Sequence, residues 1–430
     1  MSDKIRKIAF VSHRYGKDIE GGSESYTRHM AEGLAEIFKD KAKITVLTSC
    51  AKDFKTWANY YPEGEEEIND VTVIRFPVTK GRSRLKQRGG QILMRNLGIK
   101  NRTVEENRVL GRGPVTPALI EYIKEHKDEY DVFIFVTYMF YQAYFGSKEV
   151  YDKAVFIPTA HDEEPIYMDI YKEMFNRVNK IIYLTDEEKA FVERTFGNSS
   201  VKNKVIGMDI EVDKAADENL FRNRYKDFLG DDPYVIYAGR LEKDKGVDEL
   251  ITYFSRYKAE ETATNAATNA ARKADGRSAL KLVLLGRGSL EIPDRDDILA
   301  PGFVDEDIKY SAFKGAKVIC LPSAFESFSI SLLEGMAYGN PALVNGKSEV
   351  LKGHIEKSGG GFAYNDYESF KSALDELMKE SGEKADIEGK AAATERIAAK
   401  NGEFGMKAKE YVEKKYSRSS ILNEFYEFIL

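Results

Sequence analysis

Short apolar runs, β-branched or aromatic, alternate with helix-period stretches along the whole chain, and the pattern starts afresh near the middle. In the first half the runs fall at 7–12, 43–49, 71–76, 131–137, 154–158, 180–184 and 204–207; in the second, at 234–238, 281–285, 318–321, 342–344 and 361–364. Amphipathic stretches such as 22–38, 117–127 and 186–196 lie between them. Such alternation predicts parallel strands joined by crossover helices. The runs are solidly apolar, as strands covered on both faces must be. At 430 residues the chain exceeds what one core ordinarily holds, so the repetition reads as two α/β domains. The polar stretch 208–219 is the expected hinge, giving an N-terminal domain 1–210, a C-terminal domain 211–408 and a last helix, 409–430, returning to the first domain.

Charge and cysteine usage narrow the function classes. A net charge of −6 argues against nucleic acid as a partner. Cys50 and Cys320 end apolar runs in different halves, which reads as two small buried side chains in a reducing cytoplasm. The opening residues, MSDKIRKIAFVSHRYG, lack an apolar leader core. The most apolar stretch, 132–145, is interrupted by Thr137 and Gln142 and is too short for a membrane span. A cytoplasmic location is expected, with peripheral contact at the inner membrane face left open. That second option comes from the segment 80–112, where Lys80, Arg82, Arg84, Lys86, Arg88, Arg95, Lys100, Arg102, Arg108 and Arg112 face only Glu105 and Glu106. It reads either as a solvated loop or as an electropositive lip for a phosphorylated acceptor or an anionic membrane. The polar stretches 261–279 and 381–404 read as surface embellishments.

Two stretches carry the chemistry. In YVIYAGRLEKDKGVDELITYF (234–254) a strand gives way at Gly239 to a loop and then to a helix whose Val247, Leu250, Ile251 and Phe254 share one face. Arg240 and Lys245 therefore sit beside a helix N-terminus, where cations oppose the macrodipole. Either a bound phosphate resolves that conflict, or Glu242 and Asp244 neutralise the cations as surface pairs. In SAFESFSISLLEGMAYGNP (323–341) Ile330, Leu333, Glu334 and Ala337 form a helical stripe that Gly339 and Pro341 end. A carboxylate on that stripe needs a partner. A ribose diol fits, and so does a capping box with Ser331. Glu326 follows the apolar strand VICLP, at the edge where open α/β sheets bind ligands.

Glu326-SFSISLL-Glu334 resembles the E-x7-E signature of the retaining GT-B glycosyltransferases of family GT4. GRLEKDKG is similar to that family's donor-phosphate element, IEGGSESYTRHMAEGLAE (19–36) to its glycine-rich turn and first helix, and PTAHDEEP (158–165) to the segment holding a histidine near the donor sugar. The four elements occur in the family's order over nearly the whole chain. The resemblance implies the GT-B fold, two Rossmann-like domains facing each other across a donor/acceptor cleft.

The same resemblance implies a hexosyl transfer from a nucleotide-diphosphate sugar to a glycan or lipid-linked acceptor, with retention and without a metal or other cofactor. Catalytic roles would fall to Glu326, His161, Arg240 and Lys245. Arg240 and Lys245 would stabilise the diphosphate, Gly21 and Gly22 would let backbone approach it, and Glu326 would hold sugar hydroxyls. Glu334 would hold the ribose, and Phe328, Ser329 and Ile330 would contribute amides. Gly286, Arg287, Phe303 and Val304 lie where the family binds the base. His161 would touch the sugar or orient the acceptor; a lone histidine is otherwise a satisfied structural residue. Ser329 departs from the family, many of whose members have glycine there. The strings Asp294-Arg-Asp296 and Asp305-Glu-Asp307 read as solvated surface rather than a metal site, and GRGS (286–289) lacks the third glycine of a dinucleotide fingerprint. Two rival functions share the architecture: a nucleotide-sugar epimerase or hydrolase, and a non-catalytic accessory subunit.

Overall fold

A computed structural model describes residues 5–19, 21–83, 85, 89, 101–212, 216–264, 280–380 and 393–430, and the apolar runs form strands in it. The chain divides into one unit of Met1–Asp209 with Arg418–Leu430 and a second of Ile210–Ser417.

In the first unit, β1 (Arg6–Val11), β2 (Ala42–Ser49), β3 (Gly64–Ile68), β4 (Val71–Phe76), β5 (Val132–Val136), β6 (Ala154–Ile157), β7 (Lys180–Tyr183) and β8 (Lys202–Val205) form one sheet. Its order is β3-β4-β2-β1-β5-β6-β7-β8. Ile8 of β1 aligns with Ile44 on one side and Val132 on the other, both parallel. β5 and β6 are buried along their whole length, so their continuous apolar sequence is what two helix-covered faces require. The antiparallel edge strand β3 was not expected: GEEEI is exposed and polar, and it pairs with β4 through a tight turn at Asn69 (φ 50) and Asp70 (φ 61).

In the second unit, β9 (Tyr234–Ala238), β10 (Lys281–Leu285), β11 (Ile298–Gly302), β12 (Val318–Leu321), β13 (Ala342–Asn345) and β14 (Gly361–Tyr364) form a sheet of order β11-β10-β9-β12-β13-β14, parallel throughout. This is the doubly wound Rossmann order, with its switch point between β9 and β12. The first sheet has the same switch point between β1 and β5. The unpredicted strand β11, ILAPG, is a half-exposed edge containing Pro301, the position where a strand tolerates proline.

The chain passes from the first unit to the second at Asp209/Ile210 and returns at Ser417/Arg418, not from residue 409. Residues 409–417 stay with the second unit because Val412 and Tyr416 are buried there and Tyr411 bonds His354. Cys50 and Cys320 are buried and unbridged. Among the described residues no helix is long and apolar enough to cross a membrane. Arg84, Lys86, Arg88, Arg95 and Lys100 of the basic segment lie outside the described residues, as do most of 261–279 and 381–392. The end of that segment is not a loop: Arg102–Arg112 is a helix capped by Asn101, whose side chain accepts from the Val104 amide.

Candidate functional site

Backbone geometry at the β9/β12 switch point delivers the charged residues. Past the end of β9 the ladder continues, with Gly239 N–H donating to Leu285 O (2.9 Å) and Leu241 N–H to Arg287 O (3.0 Å). This close approach requires glycine at 286 (φ 130) and 288, where a Cβ would run into the Gly239 and Leu241 carbonyls. The buried Tyr237 hydroxyl donates to Arg240 O (2.8 Å) and pins the loop. A 3-10 turn, Lys243–Lys245, then closes at Gly246 (φ 70), where a Cβ would strike the Pro322 carbonyl beyond β12.

That docking places Lys245 Nζ 2.7 Å from Glu326 Oε1, joining two residues 81 apart in sequence. Both are mostly covered, with side-chain exposures of 24% and 15%. Arg240, 55% exposed, meets Asp244 at 3.2 Å. Of the two neutralising residues weighed from the sequence, Asp244 takes that role. Glu242 instead accepts from the Ser289 amide (3.1 Å) and hydroxyl and ties the two glycine loops together.

The Glu326–Glu334 stretch folds as a loop and a helix, Ile330–Ala337, entered through Ser329 at φ 67 and ψ 71. The Ser329 side chain does not cap this helix. The capping box is overturned: Ser331 already lies inside the helix, and Glu334 instead pairs with Lys309 Nζ at 2.8 Å. Leu333 and Ala337 are buried beside it, as the stripe requires. Lys309 comes from the helix Glu306–Gly315 and carried no sequence signal. Neither did His354, whose Nε2 donates to Phe328 O (2.9 Å) while Nδ1 accepts from the Tyr411 hydroxyl (3.0 Å). Burial lowers the His354 pKa to about 4, so the ring is neutral and both bonds persist at neutral pH. Arg287 lies over the Phe303 ring at 5.7 Å, with Phe303 exposed and Val304 beside it. Asp294, Asp296, Asp305 and Asp307 are exposed.

Gly21, Gly22 and His161 belong to the first unit. Gly21 (φ 149) precedes the helix Gly22–Ile37, and a Cβ there would collide with the Glu24 carboxylate; beside Gly22 the space is open. His161 follows β6, with Nε2 3.8 Å from Glu163 Oε1, which accepts from the Tyr138 hydroxyl (2.9 Å). Nearby, Thr137 (φ 68) and Thr159 (φ 51) end β5 and β6 in the left-handed region, joined by an Oγ1–Oγ1 hydrogen bond of 3.1 Å. β-branched residues adopt that backbone at a cost, and such strain concentrates at functional sites.

Sequence reasoning missed the group at the end of β1. His13 Nε2 (2.8 Å), Arg14 and Ser23 Oγ (2.7 Å) all meet the buried Glu24 carboxylate. Burial opposes ionisation of Glu24, but these donors hold its pKa well below the ordinary carboxylate range. Burial also lowers the His13 pKa, and the Glu24 carboxylate opposes that shift.

Two doubly wound sheets with charged loops at their carboxyl edges define a GT-B fold, and solved structures share it over nearly the full chain. Sucrose-phosphate synthase from Thermosynechococcus elongatus matches with a TM-score of 0.65 at 15% identity, covering 98% of each chain. Anabaena HepE in complex with UDP-glucose matches with 0.61 at 13% identity, again over 98% of each chain. An α,α-trehalose 6-phosphate synthase from Burkholderia multivorans matches with 0.65 at 12% identity, over 99% of this chain and 98% of that one. Residues 222–394 match the model of the family Glycosyl transferases group 1. Curated relatives include a Methanocaldococcus jannaschii protein named as an uncharacterized glycosyltransferase, 25% identical over 186 residues, 40% of this chain. Alpha-D-kanosaminyltransferase of Streptomyces kanamyceticus is 29% identical over 147 residues, 33% of this chain. The matches span 41% and 35% of those two proteins' lengths.

Proposed function

We propose that this protein moves a hexosyl group from a nucleoside-diphosphate sugar to an acceptor hydroxyl, with retention and without a metal. The carrying observation is the Lys245–Glu326 pair at the β9/β12 switch point, beside the start of Ile330–Ala337. Without donor, each of these groups neutralises the other. A diphosphate offers Lys245 a more highly charged partner and frees Glu326 to accept from sugar hydroxyls. Arg240, tethered only to exposed Asp244, has the freedom to swing onto the same phosphates. Two cations and the helix-start amides then stabilise the negative charge that builds as the diphosphate leaves. In this reading they supply the positive field that a metal provides elsewhere. The leaving phosphate takes the acceptor's proton on the same face as attack, so no protein nucleophile is needed. Glu334, next to Lys309, is assigned to the ribose, and Arg287, Phe303 and Val304 to the base. The UDP-glucose complex among the structural neighbours supports a nucleotide-sugar donor. The acceptor is a glycan or lipid-linked saccharide, and the reaction belongs to the cytoplasm.

A thermal-shift panel of UDP, GDP, ADP, CDP and dTDP sugars, with and without EDTA, tests this. One donor should raise the midpoint regardless of chelator. Turnover should then require an added acceptor. Full donor consumption in water alone would assign the site to a hydrolase or epimerase, and no shift with any donor would remove the reading.

A further inference from the structure

The Lys245–Glu326 pair forms where the turn closing at Gly246 meets the Pro322 carbonyl, and a third strand end reaches the same spot. β13 lies beside β12 with Leu321 aligned on Val344, which sets Asn345, the last residue of β13, next to Pro322. The other residues of β13 are Ala342, Leu343 and Val344, all buried and apolar. Asn345 is buried with them, at 3% exposure, and a buried amide is costly unless its groups are answered.

They are answered from three elements. Asn345 Oδ1 accepts from the Lys347 amide at 3.0 Å. That bond fixes which way the side-chain amide faces. Its Nδ2 then donates to the Pro322 carbonyl at 2.9 Å and to Glu249 Oε1 at 3.3 Å. Glu249 stands in the first turn of the helix Val247–Thr264, just past the Lys245 turn. One side chain therefore ties the ends of β12 and β13 to the start of that helix. The carbonyl it holds is the one on which Gly246 docks. Beyond Pro322, Ser323 Oγ donates to Phe325 O (3.0 Å) and stiffens the loop that leads to Glu326. A displacement of Pro322 or of the helix start is thus passed directly to one member of the ion pair.

We propose that Asn345 is a positioning residue of the donor site: by holding the Pro322 carbonyl and Glu249 together, it sets the Lys245 turn and the Glu326 loop at the separation that grips the donor's diphosphate and sugar. The inference rests on the glycosyltransferase reading, which assigns that pair to the donor.

Asn345→Asp tests it, because the variant keeps the side-chain shape and the Lys347 bond but turns an oxygen toward two acceptors. UDP-glucose, GDP-mannose, ADP-glucose, CDP-glucose and dTDP-glucose would be titrated calorimetrically into the full-length protein to find the donor. The nucleoside monophosphate of the same base is titrated beside it. That ligand lacks the second phosphate and the sugar, and keeps the groups assigned to Glu334, Arg287, Phe303 and Val304. Asn345→Asp should bind the nucleotide sugar about tenfold more weakly or worse, and the monophosphate within about twofold of the parent. Asn345→Ala removes the two donor bonds without adding charge and should show the same selective loss; it carries the test if Asn345→Asp does not fold. Equal losses for both ligands overturn the proposal, since a general disruption of the unit weakens every ligand alike. Full nucleotide-sugar affinity in both variants also overturns it and leaves the glycosyltransferase reading standing. A parent that binds none of the five nucleotide sugars removes that reading, and the positioning role with it.

Discussion

At the scale of single residues, Lys245 and Glu326 pair with each other, and the proposed reading has a donor diphosphate separate them. Lys245→Ala and Glu326→Ala should each lower transfer by roughly 10²-fold or more, the usual cost of losing one group that stabilises transition-state charge. Melting midpoints should move little, because both groups retain water access that softens the loss of the pair. Steady-state transfer rates and thermal melts check this together. Ser329 gives a prediction of opposite sign. At φ 67 its Cβ is strained where glycine would not be. Ser329→Gly should stabilise the fold by about 1 kcal/mol, and Ser329→Val should destabilise it by more. A midpoint that falls in the glycine variant would mean that the serine hydroxyl contributes more than the backbone strain costs.

Elements were legible where burial alone decides the sequence. The apolar runs named from the sequence coincide with strands, because a strand covered on both faces has little room for polar residues, except 204–207, which overlaps only the last two residues of the polar edge strand β8. The two missed strands, β3 and β11, are edges: one exposes three glutamates and the other contains a proline. At the site, sequence spacing located Lys245 and Glu326 but could not show that they touch, since the glycine-mediated docking of Gly246 on Pro322 brings them together. His354 and Lys309 escaped notice because their partners are far away in sequence or are backbone atoms, and the His13–Arg14–Glu24 group because the end of a strand and the first turn of a helix come together only in the fold. The helix Glu349–Ser358 uses His354 as a strut under the Phe328 carbonyl, which makes the loop pH-sensitive. Its folded pKa of about 4 lies below the ordinary 6.5. Above pH 6.5 the ring is neutral in both states, and the strut contributes in full. As pH falls from 6.5 toward 4 the unfolded chain gains a proton that the native state refuses, so stability drops by roughly 3 kcal/mol across that window. His354→Gln should be less stable than the parent at pH 7, and the gap should narrow as the pH approaches 4. Denaturant melts at several pH values measure it, and a constant gap would place the titration elsewhere.

At the scale of the whole molecule, the chain leaves its first unit, builds the second, and returns for thirteen residues, Arg418–Leu430. That return completes a core. Ile421, Leu422, Phe425 and Ile429 are buried, Phe425 stacks near Phe10 at 6.2 Å, and Tyr426 stacks on Phe38 at 4.0 Å. Gly33 leaves room for Leu422, and Lys180 Nζ donates to the carbonyls of Phe428 (2.9 Å) and Ile429 (3.0 Å). Each such side chain contributes about 1.5–3 kcal/mol of burial, so together they rival the roughly 5–15 kcal/mol net stability of an ordinary domain. The second unit keeps Lys245, Glu326 and all six of its strands without this helix. Truncation after Ser417 should therefore unfold or severely destabilise the first unit while donor binding survives. Phe425→Ala should produce a milder form, about 3–5 kcal/mol. Because Trp57 lies in the first unit, its emission follows that unit alone, and a donor-dependent calorimetric signal follows the other. Loss of the donor signal together with the Trp57 transition would show that the two units fold as a single cooperative body, and the division drawn from their separate cores would have to be abandoned.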